Sequence, residues 1–166
     1  MTTSGSARPV LRDAVGGVVF AGCVVAVAVI GALAAGSARQ DYAALRTPPW
    51  APPAWLFGPV WSVLYAMIAV SGWLVWRRAG SLRAARAPLG AYALQLLLNL
   101  AWTPLFFGAA RYGTALVEIV VLMAAILVTI VLFARIHRVA ALLLVPYAGW
   151  TLFATALNGS IWLLNA

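Results

Sequence analysis

The chain has 166 residues, of which 65% are hydrophobic and only 8% charged, and it carries a formal net charge of +8. A soluble domain carries about a quarter charged residues, so this composition excludes one and implies a membrane protein. The basic residues are all arginines split among short hydrophilic stretches, which excludes the continuous basic surface that nucleic-acid binding needs.

A transmembrane helix requires roughly 20 mostly apolar residues to cross about 30 Å of hydrocarbon. Residues 14–35, 58–76, 88–107, 114–136 and 139–164 qualify, within a single integral membrane domain spanning 1–166. The expected fold is an all-α membrane protein, a five-transmembrane-helix bundle with a long proline-rich loop, 36–57, between the first two helices.

The first span follows Arg8 and Arg12 and lacks a small-x-small cleavage site before a polar region, so it reads as a retained helix and not as a signal peptide. Gly16, Gly17, Gly22, Gly31 and many alanines give it a slim profile suited to close backbone approach. Cys23 stands alone in it, which excludes an intramolecular disulfide and leaves a thiolate metal site without partners.

The following loop leads into residues 47–65, TPPWAPPAWLFGPVWSVLY, which hold five prolines and three tryptophans. Pro48, Pro49, Pro52 and Pro53 deny this segment regular helix and sheet and reduce the freedom it loses on ordering. Two readings fit: a rigid lid over one end of the bundle, or an interfacial anchor for the second span. That span opens with Phe57, Trp61 and Tyr65 on one face, at i, i+4 and i+8.

On the third span Tyr92, Gln95, Asn99, Trp102 and Phe106 follow spacings of three and four, with leucines at the neighbouring positions. Amides are costly against lipid tails, so this stripe should face inward. Pro104 removes a backbone donor near the end of the span. The fourth span is mostly Val, Ile, Leu and Ala, with Thr129 its polar interior residue, and reads as a lipid-facing wall or an oligomer contact. Glu118 is the only acid inside a span. Its place near the start of the helix suggests complementing the positive helix end and reaching the interface, because a proton relay needs a chain of buried ionisable groups.

His137, between the last two spans, reads as a solvated interfacial side chain, since a zinc site needs three or four converging ligands. No metal site is expected. The fifth span repeats the inward device with Tyr147, Trp150, Ala154, Asn158 and Asn165. Trp55, Trp73, Trp76 and Trp162 lie near helix ends and fit an interfacial aromatic belt; Trp102 and Trp150 share stripes with asparagines and fit it less well. The chain offers no paired carboxylates, no Ser/His/Asp set and no glycine-rich phosphate loop, so conventional acid–base or nucleophilic catalysis has no residues to use, and no cofactor is expected.

An odd number of spans puts the termini on opposite sides. Arg8, Arg12, Arg77, Arg78, Arg83, Arg86, Arg135 and Arg138 fall on the amino-terminal side, against Arg39, Arg46 and Arg111 on the other. This excess places the N-terminus in the cytoplasm of a bacterial cell, a source also suggested by abundant Arg and Ala without lysine, and it favours contact with anionic membrane lipids.

Three motifs resemble a known family. Tyr42-x-x-Leu45-x-x-Pro48-Pro49-Trp50-x-Pro52-Pro53-x-Trp55-x-Phe57-x-Pro59-Val60-Trp61-x-x-Leu64-Tyr65 resembles the signature of the translocator protein (TspO/MBR) family, also called tryptophan-rich sensory proteins or peripheral benzodiazepine receptors. Gln95-x-x-x-Asn99-x-x-Trp102-x-Pro104-x-Phe106-Phe107-Gly108 and Pro146-Tyr147-x-x-Trp150-x-x-Phe153-Ala154-x-x-Leu157-Asn158 are similar to its third- and fifth-helix motifs. The match runs over roughly 40–165, in order.

The resemblance implies a homodimeric five-helix bundle that binds protoporphyrin IX, haem-like tetrapyrroles and similar hydrophobic ligands. By motif position, the ligand-binding residues would be Trp50, Trp61, Tyr65, Asn99, Trp102, Phe106, Trp150 and Ala154. The sterol-recognition segment of animal members has a tyrosine and a basic residue where this chain has Gly159 and Leu163, so sterol binding by that motif is not implied. Thr114 replaces a tryptophan of animal relatives, and Ala54 a basic lid residue.

The leading expectation is therefore a binding and sensing protein that regulates or moves porphyrins, not an enzyme. Arg39 or Arg46 could pair with a propionate, although head-group contact also accounts for them. The alternatives are light- and oxygen-dependent degradation of protoporphyrin IX supported by Trp61 and Trp150, transport across the membrane, and a lipid-binding or structural role.

Overall fold

A computed structural model describes residues 7–36 and 38–166. The amino terminus, whose side of the membrane the arginine distribution addresses, and the side chain of Arg39 lie outside the described residues. Among the described residues every regular element is helical: α1 (Ala7–Ala35), α2 (Ala38–Ala44), a 3-10 turn (Ala54–Leu56), α3 (Phe57–Ala79), α4 (Leu82–Thr103), a π turn (Pro104–Gly108), α5 (Tyr112–Ala134), α6 (Arg138–Leu143) and α7 (Val145–Asn165). Among the described residues five segments are long and apolar enough to cross a membrane, the last formed by α6 and α7 together. Helix is the natural answer for such a chain, because hydrocarbon offers no partner to an unpaired backbone group.

Local chemistry sets the boundaries. Gly80 adopts φ +73° and closes α3, and Ser81 Oγ then accepts from Ala84 N at 3.2 Å to open α4. The third helix therefore begins six residues before the expected start at Pro88, with that proline inside it. His137 is not merely a solvated interfacial side chain: its Nδ1 accepts from Ala140 N at 3.3 Å and caps α6. Pro146 lies at the start of α7, and the chain breaks at Leu144, so the fifth span is two helices in series.

The expected loop 36–57 is not uniformly irregular. It holds α2, then an irregular stretch over 45–53 containing the four prolines, then the 3-10 turn, and α3 begins at Phe57.

The spans form a closed ring in which α1 packs on α3 and α4, α4 on α5, α5 on α6 and α7, and α3 on α6. The fourth span is thus more than a lipid-facing wall. One face of α5 buries Ala115, Ile119, Leu122, Ala125, Ile126, Thr129 and Phe133, while Val117, Val120, Val121 and Val128 remain exposed on the other. At one end the ring is filled by Ile68, Val75, Tyr92, Phe133, Ala140 and Leu144, and Ser71 Oγ donates to Ala140 O at 2.7 Å across α3 and α6. Toward the other end α3 touches α7 only slightly. The divergence leaves a space inside the ring.

Candidate functional site

That space is a cavity of about 520 Å³. Seven of the eight ligand-binding residues expected from the motifs line it: Trp61 and Tyr65 from α3, Asn99 and Trp102 from α4, Phe106 from the π turn, and Trp150 and Ala154 from α7. Trp50 does not line it. Its indole is exposed and packs edge-on against Phe153, with ring centroids 5.8 Å apart, and Phe153 in turn lies 5.3 Å from Trp150.

Two polar chains hold the walls. Tyr65 OH donates to Asn99 Oδ1 at 2.9 Å, and Asn99 Nδ2 donates to Tyr147 OH at 3.1 Å, joining α3, α4 and α7. Trp102 Nε1 donates to Asn158 Oδ1 at 3.2 Å, and Asn158 Nδ2 donates to Tyr112 O at 2.9 Å, joining α4, α7 and the start of α5. Asn99 and Asn158 are 6% and 1% exposed, so each amide is satisfied by protein groups where neither water nor lipid would serve. The inward stripe expected on the third helix is present: Tyr92, Gln95, Asn99 and Phe106 are all buried.

The π turn follows from Thr103-Pro104. Proline cannot donate to the carbonyl four residues back, and the chain widens so that Ala109 N donates to Pro104 O at 2.9 Å. The consecutive Phe106 and Phe107 then both face the cavity. Phe106 stacks on Trp102 at 4.9 Å and 23°, and Trp61 lies 5.2 Å from Tyr65 at 31°. Of these aromatic walls, Tyr65 and Trp102 are held in place by hydrogen bonds.

The cover over one side of the cavity comes from α2, with the proline stretch packed beside it. Tyr42 lines the cavity, packs edge-on against Phe57 at 5.4 Å, and donates to Pro52 O at 3.1 Å. Burial pushes its phenol pKa up. Asn165, in the last turn of α7, clasps the segment after α2: its Oδ1 accepts from Arg46 N at 3.0 Å and its Nδ2 donates to Arg46 O at 2.9 Å.

Sequence reasoning did not assign Tyr42, Asn158 or Thr151 to the site, although Asn158 stood on the inward stripe of the fifth span. It also missed the contribution of α1. Ala28, Gly31 and Ala32 line the cavity, and a Cβ built on Gly31 would meet nothing within 4 Å. Small residues here leave room; they bring no backbones together. Close approach occurs at the other end, where Gly16 lies under the Trp76 ring.

Glu118 departs from expectation. It lies in the second turn of α5, beyond the reach of a cap, and both carboxylate oxygens are buried without a hydrogen-bond partner. The amide of Gln95, Trp150 Nε1 and Thr151 Oγ1 are also buried without partners. Among the described residues no group of three His, Cys, Asp or Glu converges as a metal site would require.

These features define a helical membrane protein with an internal aromatic cavity bordered at one end by a short helix. Residues 19–163 match the model of the TspO/MBR family. The chain is 42% identical over 128 residues to the translocator protein of Homo sapiens, covering 76% of each chain. It is also 42% identical over 130 residues to the tryptophan-rich protein TspO of Archaeoglobus fulgidus, covering 78% of this chain and 83% of that one. Protein CrtK of Rhodobacter capsulatus is 38% identical over 124 residues, covering 75% of this chain and 78% of the relative. The chain belongs to the TspO/MBR family.

Proposed function

We propose that the cavity binds porphyrins, protoporphyrin IX and haem-like tetrapyrroles among them, and that the protein senses, regulates or moves these molecules within the membrane. The observation that carries this reading is the set of oriented aromatic faces around about 520 Å³ of space, a volume within the roughly 300–1,000 Å³ of small-molecule sites. A porphyrin is a flat apolar disc, and indole and phenol faces stack on such a surface. Arg46 is exposed beside the cover, where a guanidinium can meet a propionate at the rim.

The test is a dark titration of detergent-solubilised protein with protoporphyrin IX, followed by tryptophan quenching. Saturable quenching is expected, with about five- to tenfold weaker binding in Trp102→Ala, the loss of a stacking face being worth roughly 1–1.5 kcal/mol. Non-saturable quenching, equal in the variant, would sink the proposal.

A second reading is light- and oxygen-dependent breakdown of the bound porphyrin. What favours it is that Trp61 and Trp150 both line the cavity. Illuminating the titrated samples in air distinguishes the two: a new pigment that forms with wild type and is lost in Trp61→Phe supports breakdown, whereas a recoverable porphyrin spectrum supports binding alone.

A further inference from the structure

A second concavity, of about 450 Å³, lies between α1 and α3 at the ends of these helices away from the aromatic cavity. Its walls are Leu11, Val15, Val19 and Phe20 of α1 and the indole of Trp76 of α3, and Arg12 stands at one end. Leu11, Val15 and Val19 are each more than half exposed, so the trough opens outward from the bundle. Gly16 forms its floor. A Cβ there would collide with the six-membered ring of Trp76, and its absence lets the indole lie against α1. Phe20 continues the apolar surface, with its ring centroid 6.4 Å from that of Trp76.

The charges at this end are mainly positive, and two of the guanidiniums are oriented by indole rings. The guanidinium of Arg12 lies 5.2 Å from the Trp76 ring centroid, and that of Arg77 lies 4.7 Å from that of Trp73. Trp73 is itself fixed by donating Nε1 to Asp13 O at 3.0 Å. Arg12, Arg77 and Arg78 are exposed. The sequence has three acids in all; Asp41 belongs to α2 and Glu118 to α5, which leaves Asp13 as the acid of this region.

We propose that this groove is a binding site for an anionic phospholipid, with an acyl chain along Val15, Val19, Phe20 and Trp76 and the phosphate on Arg12. Stacking on Trp76 holds the guanidinium in place before the lipid arrives, which lowers the ordering cost of binding, and a guanidinium can offer two parallel donors to phosphate oxygens. The trough beside it is apolar and lies at a helix end of the kind that meets the head-group layer. A zwitterionic lipid has the same phosphate and tails but brings an ammonium toward Arg12, Arg77 and Arg78. The site therefore discriminates by net head-group charge. It is independent of whatever ligand the aromatic cavity takes.

The experiment is native mass spectrometry of the full chain in detergent, incubated with phosphatidylglycerol or phosphatidylcholine of identical acyl chains. Retention of phosphatidylglycerol is expected to exceed that of phosphatidylcholine by about fivefold or more, from roughly 1 kcal/mol per arginine near an anionic head group. Arg12→Gln should cut the preference for phosphatidylglycerol to about twofold or less, Arg77 and Arg78 keeping the remainder, and Val19→Trp, which fills the trough and leaves the charges, should lower both. Residues 12 and 19 are exposed, and unchanged helical circular dichroism checks that both variants fold. Equal retention of the two lipids by wild type, or wild-type discrimination in Arg12→Gln, would overturn the proposal. So would displacement of phosphatidylglycerol by millimolar inorganic phosphate, because the trough would then add nothing to an arginine–phosphate pair.

Discussion

The carboxamide of Asn99 accepts from Tyr65 and donates to Tyr147, so its replacement strands two hydroxyls at once. Asn99→Ala is expected to lower stability by about 1–2 kcal/mol, read as a fall in the thermal unfolding midpoint in detergent; an unchanged midpoint would mean that the chain of bonds is incidental. Gly72 is similarly constrained by volume. A Cβ there would stand 2.8 Å from the rings of both Phe20 and Tyr92, so Gly72→Ala should cost about 1–3 kcal/mol through displacement of α1 from α3. Ala110 gives the opposite sign. It holds φ +50° in the turn before α5, a conformation that costs an L residue roughly 1 kcal/mol and glycine almost nothing. Ala110→Gly should raise the unfolding midpoint, and a fall would show that the turn is not strained.

At the scale of elements, the break after α4 governs the cavity. With Pro104→Ala the chain regains a donor and can continue as regular helix, which would rotate Phe106 and Phe107 relative to Trp102. Ligand quenching should weaken while helical content stays level or rises; unaltered binding would show that the π turn is not what orients these rings. The inward stripe of α4 was legible because amides and aromatics alternate with leucines at helical spacing, and burial of amides has a large energetic consequence in lipid. The start of the same helix was not, since Pro88 reads as a first turn whereas the decisive signal was the Gly80-Ser81 pair. The small residues of α1 were ambiguous for a physical reason: the same Gly and Ala pattern permits a tight contact, as at Gly16, or lines a void, as at Gly31. Glu118 was misread because distance from a helix start does not reveal whether a side chain points out to the interface or into the ring.

For the molecule as a whole, the arginine distribution makes a topological prediction. In a Cys23→Ser background, Ala109→Cys should react from outside intact bacterial cells with a membrane-impermeant maleimide, and Ser81→Cys should not; both positions are exposed. The reverse pattern would invert the orientation. The five-helix bundle was legible from spans and stripes, whereas the clasp between α7 and the segment after α2 has no local signature. Asn165 reaches 119 positions back to Arg46 and holds only main-chain groups there. The identity of residue 46 is therefore free to vary, proline excepted, without loosening the cover, while position 165 tolerates few replacements. The last helical turn of the fifth span acts as one fastening of the cover, so unwinding that turn would slacken the cover from a distance, without disturbing any residue that lines the cavity.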